Sequence, residues 1–243
     1  MNDLICGDNI EILKGLDDNC IDLTVTSPPY DKLRQYNGFS FDLDGIIKEL
    51  LRVTKDGGVV VWVVGDATVK GSETGSSFKQ ALKFKEIGFN IHDTMIWEKT
   101  GRLPTQDRYY AIFEYMFVLS KGKPKAMNFI CDHKTVNGGR VQTKDSVINK
   151  GNNVKGDGSF VRSEFSRRPN IWKNKTGHPA IFPEQLAGDH IVSWSNPGDI
   201  VYDPFMGSGT TAKMAKLNNR HFVGSEISEE YCEIARNRID GLF

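Results

Sequence analysis

No run of this 243-residue chain reaches the roughly 18 apolar residues that a membrane-spanning helix requires. The opening Met1-Asn2-Asp3-Leu4 carries no basic segment leading into an apolar stretch, so no secretory signal is expected. Cysteine is scarce: Cys6, Cys20, Cys131 and Cys232 stand apart, with no C-x-x-C pair and no cysteine–histidine cluster. Neither a disulfide framework nor a metal site is therefore expected, and all four read as buried or incidental thiols of a reduced, cytoplasmic protein. There is no G-x-x-x-x-G-K-[ST] segment, which disfavours a P-loop nucleotidase. Net charge is missing too, because 31 Lys and Arg balance 31 Asp and Glu. What remains is an ordinary globular mixture, 39% hydrophobic and 10% aromatic, enough for a core and unlike a disordered or collagen-like chain.

The zero sum is unevenly laid out. Lys121 to Lys175 holds 13 basic and 4 acidic residues, a net +9, while the remainder holds 18 basic and 27 acidic, a net −9. The basic segment suits a solvated loop, and equally an electrostatic footprint for phosphates.

Strand and helix signals alternate along the chain. Ile21 to Val25 is a short apolar run halted by Pro28-Pro29, a strand entering a loop. Phe41, Leu43, Ile46, Ile47, Leu50, Leu51 and Val53 follow helical spacing, closed by Lys55-Asp56-Gly57-Gly58. Val59 to Val64 is unbroken apolar sequence, the pattern of a parallel strand buried on both faces. A helix from Ser77 to Lys85 and strands from Phe89 to Trp97 and Phe113 to Leu119 follow. From Lys121 to Gly177, Asn, Gly, Lys and Arg dominate and periodicity is lost. Regular signals resume with a helix opened by Pro183-Glu184, a strand at Ile200-Val201-Tyr202, a helix from Thr210 to Leu217, a strand from His221 to Gly224 and a last helix from Glu229 to Ile239. This predicts one α/β domain, residues 1–120 and 177–243, interrupted by an insert over 121–176.

Two loops carry chemistry. Gly207-Ser208-Gly209-Thr210-Thr211-Ala212 satisfies G-x-G-x-x-G/A between a strand and a helix, where glycines admit a ligand to the backbone and the helix offers free N–H groups. Glu226 closes the next strand, 23 residues after Asp203, and can accept hydrogen bonds from both hydroxyls of a ribose. Only 34 residues follow Gly209, too few for the rest of a nucleotide-binding sheet, so the missing strands must come from the N-terminal segments and the domain must be permuted. The second loop is Thr26-Ser27-Pro28-Pro29-Tyr30. Its prolines stiffen the chain and hold the carbonyls and the Ser27 hydroxyl in place, and Tyr30 offers a flat face for stacking. Such a site can accept hydrogen bonds from an amino group while stacking its ring.

Ser27-Pro28-Pro29-Tyr30 and Phe205-Met206-Gly207-Ser208-Gly209 resemble the catalytic [D/N/S]-P-P-[Y/F/W] and cofactor F-x-G-x-G motifs of the S-adenosylmethionine-dependent amino DNA methyltransferases. Their order, with the insert between, resembles the permuted beta class. Cys6-Gly7-Asp8, the stretch Trp97-Glu98-Lys99, Pro104, Arg108, Glu114-Tyr115 and Ser120-Lys121, then Asn170-Ile171-Trp172 and His178-Pro179-Ala180-Ile181-Phe182-Pro183-Glu184, are similar to further segments of that family. The resemblance implies a Rossmann-like methyltransferase fold with a mixed, mostly parallel, seven-stranded sheet, circularly permuted, with a target-recognition insert. It implies a base flipped out of duplex DNA, stacked by Tyr30, its amine held by the Ser27 hydroxyl and the Pro28 carbonyl. The sulfonium methyl would then pass in line to the amine, with positioning as the main source of acceleration. Asp203, Phe205, Gly207, Gly209 and Thr210 would line the methionine part of the cofactor, with Phe182 touching the same side. Glu226 would hold the ribose and Asp8 the adenine end. Lys144, Lys150, Arg162, Arg167 and Arg168 of the insert are candidate DNA contacts. A homodimer and a cognate restriction endonuclease are further partners the class implies.

Ser in the first motif position is typical of N4-cytosine enzymes in this family, and Asp or Asn of N6-adenine enzymes, so N4-cytosine is the expected target with N6-adenine as the alternative. A non-catalytic DNA-binding relative, or an enzyme acting on RNA or on protein glutamine, is the rival reading. The role of Tyr30 is testable: Tyr30→Ala should lower turnover through lost base stacking while cofactor binding persists, and unchanged turnover would refute it.

Overall fold

The computed structural model describes residues 2–29, 42–99, 107–143, 159–174 and 182–241. Tyr30, Pro104, Lys144, Lys150 and His178 lie outside the described residues. The elements in chain order are β1 (Asn2–Cys6), α1 (Asn9–Lys14), β2 (Ile21–Thr26), α2 (Leu43–Val53), β3 (Thr54–Val64), β4 (Thr68–Val69), β5 (Ser72–Glu73), α3 (Ser76–Ile87), β6 (Asn90–Lys99) and β7 (Phe113–Ser120). They continue with β8 (His133–Lys134), β9 (Val141–Thr143), β10 (Ser159–Val161), β11 (Phe165–Ser166), β12 (Ile171–Asn174), α4 (Glu184–Trp194), β13 (Ile200–Asp203), α5 (Thr210–Leu217), β14 (His221–Glu226) and α6 (Glu229–Asp240). Two compact units result: Met1–Asn128 with Asn170–Phe243, and Phe129–Pro169. Among the described residues no helix is long and apolar enough to cross a membrane.

Among the described residues eight strands form the main sheet, in the order β1-β14-β13-β2-β3-β7-β6-β12. The first five run parallel, β7 is antiparallel to both β3 and β6, and β12 is parallel to β6. The sequence resemblance implied seven strands. The eighth is β12, four residues long and too short to show a period, yet Ile171–Asn174 pairs in register with Ile96–Lys99 and Trp172 is buried. The strand order accounts for the permutation: the first strand lies beside the last, and β13 sits between β14 and β2.

Both faces of the sheet are covered. Val59, Val61 and Val63 of β3 pack with Leu186, Ile191, Ala212, Ala215 and Ala235 from α4, α5 and α6. Val60, Trp62 and Val64 pack on the opposite face with Leu13, Ile46, Leu50 and Phe84 from α1, α2 and α3. Burial on two faces is why β3 reads as continuous apolar sequence, each such side chain contributing about 1.5–3 kcal/mol. Asp42 caps α2, accepting from the Gly45 N–H at 3.0 Å. The Lys55-Asp56-Gly57-Gly58 signal closes that helix in the sequence reading. In the structure it lies inside β3, which starts at Thr54. Gly57, at φ 79°, donates to the Lys121 carbonyl at 2.6 Å, so the turn residues are absorbed into an irregular strand start.

The cysteine reading is corrected. Cys6 at the end of β1 and Cys232 on α6 form a disulfide across 226 positions, with Cα atoms 6.1 Å apart. Spacing gave no hint of it, because only the β1–β14 pairing and the return of α6 bring the two together.

The second unit, read by itself, is built from two short antiparallel pairs, β8 with β11 and β9 with β10. These strands are two or three residues long, too short for a period to show in the sequence.

Gly224 in β14 lies against the Met206 side chain, and a Cβ there would overlap Met206 Cε and Sδ. Met206 is buried, so Gly224→Ala should destabilise the fold by about 1–3 kcal/mol. Urea unfolding checks this, and an unchanged midpoint would contradict the packing described.

Candidate cofactor and catalytic site

Parallel strands place their carboxyl ends on one edge, and ligands of open α/β sheets bind there. On this edge β2 ends at Thr26, β13 at Asp203 and β14 at Glu226. Ser27-Pro28-Pro29 continues directly from β2, with Pro28 buried and Ser27 and Pro29 half-buried. The strands that carry the two motifs are neighbours, Val201 and Tyr202 pairing with Leu23 and Thr24. Thr26 Oγ1 donates to Asp203 Oδ1 at 2.6 Å, and Thr211 Oγ1 on α5 donates to the Val25 carbonyl at 3.1 Å. The two sequence motifs are thus braced to each other by buried hydrogen bonds.

The glycine loop is held from several sides. Asp203 Oδ1 also accepts the Phe205 N–H at 3.0 Å. Phe205 packs edge-on to Trp62, with ring centroids 6.1 Å apart. Glu226 is buried; its Oε2 accepts the Gly207 N–H at 2.8 Å and its Oε1 accepts the Ser228 N–H at 2.9 Å. A carboxylate oxygen can take more than one hydrogen bond, so this group retains acceptor capacity for a ligand. Gly207 and Gly209 adopt φ 51° and 80°. At Gly207 a Cβ would meet nearly open space among the described residues, the opening a backbone-hugging ligand needs, whereas at Gly209 it would press on Ala235. The first glycine therefore gives access and the second gives close packing of the loop on α6. Thr210 is buried at the start of α5.

Asp8 lies at the same edge and caps α1, its Oδ1 accepting from Ile10 N at 2.9 Å and Glu11 N at 3.2 Å. The Gly7 N–H donates to the Glu226 carbonyl at 2.8 Å, and Asn9 Nδ2 to the Pro204 carbonyl at 3.3 Å, tying the N-terminal turn to the glycine loop. Phe182 is half-buried and packs against the core.

Sequence reasoning missed the residues that fix the loop from behind. Arg238 Nη1 on α6 reaches the Ser208 carbonyl, Ser208 Oγ and Thr210 Oγ1, each at 3.1 Å. Its Nη2 bonds Glu184 Oε1 on α4, which also pairs with Lys213 Nζ of α5 at 2.7 Å. The Lys213 and Arg238 cations outweigh burial and hold the Glu184 carboxyl below its ordinary range. Nothing local in the sequence marks Arg238, since its role exists only once α6 lies beside α5.

In the second unit, Arg167 is exposed and stacks its guanidinium 4.1 Å from the Phe129 ring centroid. Arg168 Nε lies 3.1 and 3.0 Å from the two Asp132 carboxylate oxygens. This pairing lowers the Asp132 carboxyl below its usual range. Arg162 is exposed, and its N–H donates to the Arg140 carbonyl at 3.1 Å.

Burial pushes the Asp203 carboxyl up from 3.8 to about 6, against the opposing hydrogen bonds from Thr26 and Phe205. A raised acid binds its proton more tightly folded than unfolded. Its stabilising contribution is therefore complete below about 3.8 and is lost as pH rises through about 6, about 3 kcal/mol in all. Relative to Asp203→Asn, the wild type should lose stability between these limits in urea unfolding, and a pH-independent difference would contradict this.

The DNA methylase family matches residues 21–237 of the chain. An orphan methyltransferase of Bacillus amyloliquefaciens, M.BamHII, is 58% identical, over 93% of this chain and 91% of its own. The type II methyltransferase M.SmaI of Serratia marcescens is 28% identical, over 97% and 90%. Among solved structures, TTHA0409 from Thermus thermophilus, complexed with S-adenosyl-L-methionine, is 26% identical with a TM-score of 0.70, covering 99% of this chain and 94% of that one. The cytosine-N4-specific PvuII DNA methyltransferase has a TM-score of 0.71 at 20% identity over 98% and 86%, a likeness of fold. The chain belongs to the DNA methylase family and is an S-adenosylmethionine-dependent DNA methyltransferase.

Proposed function

We propose that this methyltransferase modifies the exocyclic N4 amine of a cytosine within a specific duplex sequence, the base being flipped out of the helix. The observation that carries the reading is Ser27-Pro28-Pro29 at the end of β2, with the neighbouring β13 bonded to it through Thr26 and Asp203. Serine as the first motif residue is what favours cytosine over adenine.

The residues fit the cofactor. Gly207 leaves room for close approach, and Glu226 has remaining acceptor capacity for ribose hydroxyls. Asp203 is a buried carboxylate whose ionised form gains from a neighbouring ammonium. Phe205, Gly209, Thr210 and Phe182 line the same part, and Asp8 takes the adenine end. Bound S-adenosylmethionine supplies an electrophilic sulfonium methyl. The Ser27 hydroxyl and the Pro28 carbonyl accept the hydrogens of the target amine and draw its lone pair out of the ring system. Tyr30 stacks on the flipped ring and holds the nitrogen in line.

The catalytic and cofactor domain is residues 1–120 and 177–243, and the insert 121–176 reads the target. Lys144, Lys150, Arg162, Arg167 and Arg168 meet DNA there, with Arg168 also paired to Asp132. The protein works in the cytoplasm, with duplex DNA as its partner.

Digestion of enzyme-treated, previously unmethylated DNA followed by mass spectrometry of the nucleosides is the test. N4-methylcytosine is the expected product. N6-methyladenine without N4-methylcytosine would overturn the base assignment, and no methylated nucleoside from any duplex would overturn the reading as a whole.

A further inference from the structure

Between β3 and α3 the chain makes a small hairpin, β4–β5, that no motif marks. It pairs Thr68 with Glu73 and Val69 with Ser72, and it turns on Lys70-Gly71. Both turn residues have positive φ, 49° and 78°, the geometry of a two-residue turn matched to strand twist. The hairpin is firmly built. At its base the Asp66 carboxylate accepts from Ser77 N at 3.0 Å, Ser76 Oγ at 3.1 Å and Thr74 Oγ1 at 3.3 Å, and the Thr74 N–H donates to the Ala67 carbonyl at 2.9 Å. At its tip Arg108 Nη2 donates to the Gly71 carbonyl while Nη1 lies 3.5 Å from Glu73 Oε1. Nevertheless Thr68 through Glu73 are all exposed, Val69 is 56% exposed, and none of the described residues comes within 4 Å of a Cβ placed on Gly71.

Place and charge indicate what this projection meets. It grows from the carboxyl end of β3, the strand paired with β2 in the register Thr26 to Trp62, so it rises from the edge that carries Ser27-Pro28-Pro29. Arg108 neutralises Glu73, and Lys70 has no hydrogen-bond or ion-pair partner among the described residues. A protein partner would need a broad buried area, whereas this hairpin exposes one apolar side chain, a cation, two hydroxyls and backbone amides. Those are the groups that bind a nucleic-acid backbone.

We propose that the β4–β5 hairpin is a second DNA contact, separate from the insert, in which Lys70 binds a backbone phosphate of the substrate duplex and Arg108 is the positioning residue that fixes the tip. The proposal rests on the reading of the protein as an enzyme acting on duplex DNA. Lys70→Asn removes the charge with a residue that favours positive φ, so the turn is kept. With sheared genomic duplex DNA, this variant should show a raised KM with unchanged kcat and unchanged cofactor affinity. The slope of log Kd against log salt should become shallower by about 0.9, one phosphate contact. Lys70→Arg should restore both. Arg108→Gln added to Lys70→Asn should change the slope no further, and a further loss would overturn the positioning role by showing that Arg108 binds DNA itself. If the wild type transfers tritiated methyl groups to this DNA and Lys70→Asn keeps the full slope, the hairpin contact is overturned while the methyltransferase reading stands. A wild type that transfers none overturns both.

Discussion

One buried hydrogen bond, from Thr26 Oγ1 to Asp203 Oδ1, joins residues 177 positions apart and brings the two sequence motifs together. It forms because β13 lies parallel to and beside β2, which puts the end of a strand from the last quarter of the chain against the end of one from the first. A bond of this kind to an ionised acceptor contributes about 1.5–3 kcal/mol. More important is what it aligns: Ser27-Pro28-Pro29 leaves one strand where the glycine loop leaves the next. The permuted order of motifs is therefore a property of the chain and not of the site, since strand pairing restores their adjacency.

The electrostatics follow the same division. Asp203 and Glu226 are buried carboxylates at the sheet edge, each bonded to backbone or hydroxyl donors and each in position to receive more. Behind them, Lys213, Glu184 and Arg238 tie three helices to the loop. A neutral total charge conceals this acidic centre and, elsewhere, a basic segment whose cations are partly spoken for: Arg168 lies on Asp132 and Arg167 on Phe129.

Much of the sheet was legible because its strands are buried on both faces. Val59 to Val64 could be read as a strand from composition alone, and Gly207-Ser208-Gly209 as a ligand loop from the chemistry of glycine. Short elements were not legible. The strands β8 to β12 have no room for a period, and β12 still completes the main sheet. β1 and α1 carry few buried side chains, so their pattern is weak, although Asp8 is a serviceable cap in sequence. Groups defined by distant neighbours were also out of reach. Arg238 behind the loop, the Cys6–Cys232 link and the clamp of Arg108 on the β4–β5 hairpin each depend on an encounter that only the fold creates.

The claim that the site is assembled where β2, β13 and β14 end is tested most directly by a crystal structure with S-adenosyl-L-homocysteine bound. The ribose hydroxyls should sit on Glu226 and the amino acid end beside Asp203, with the sulfur turned toward Ser27. A ligand bound away from this edge, with Glu226 left only to Gly207 and Ser228, would contradict it.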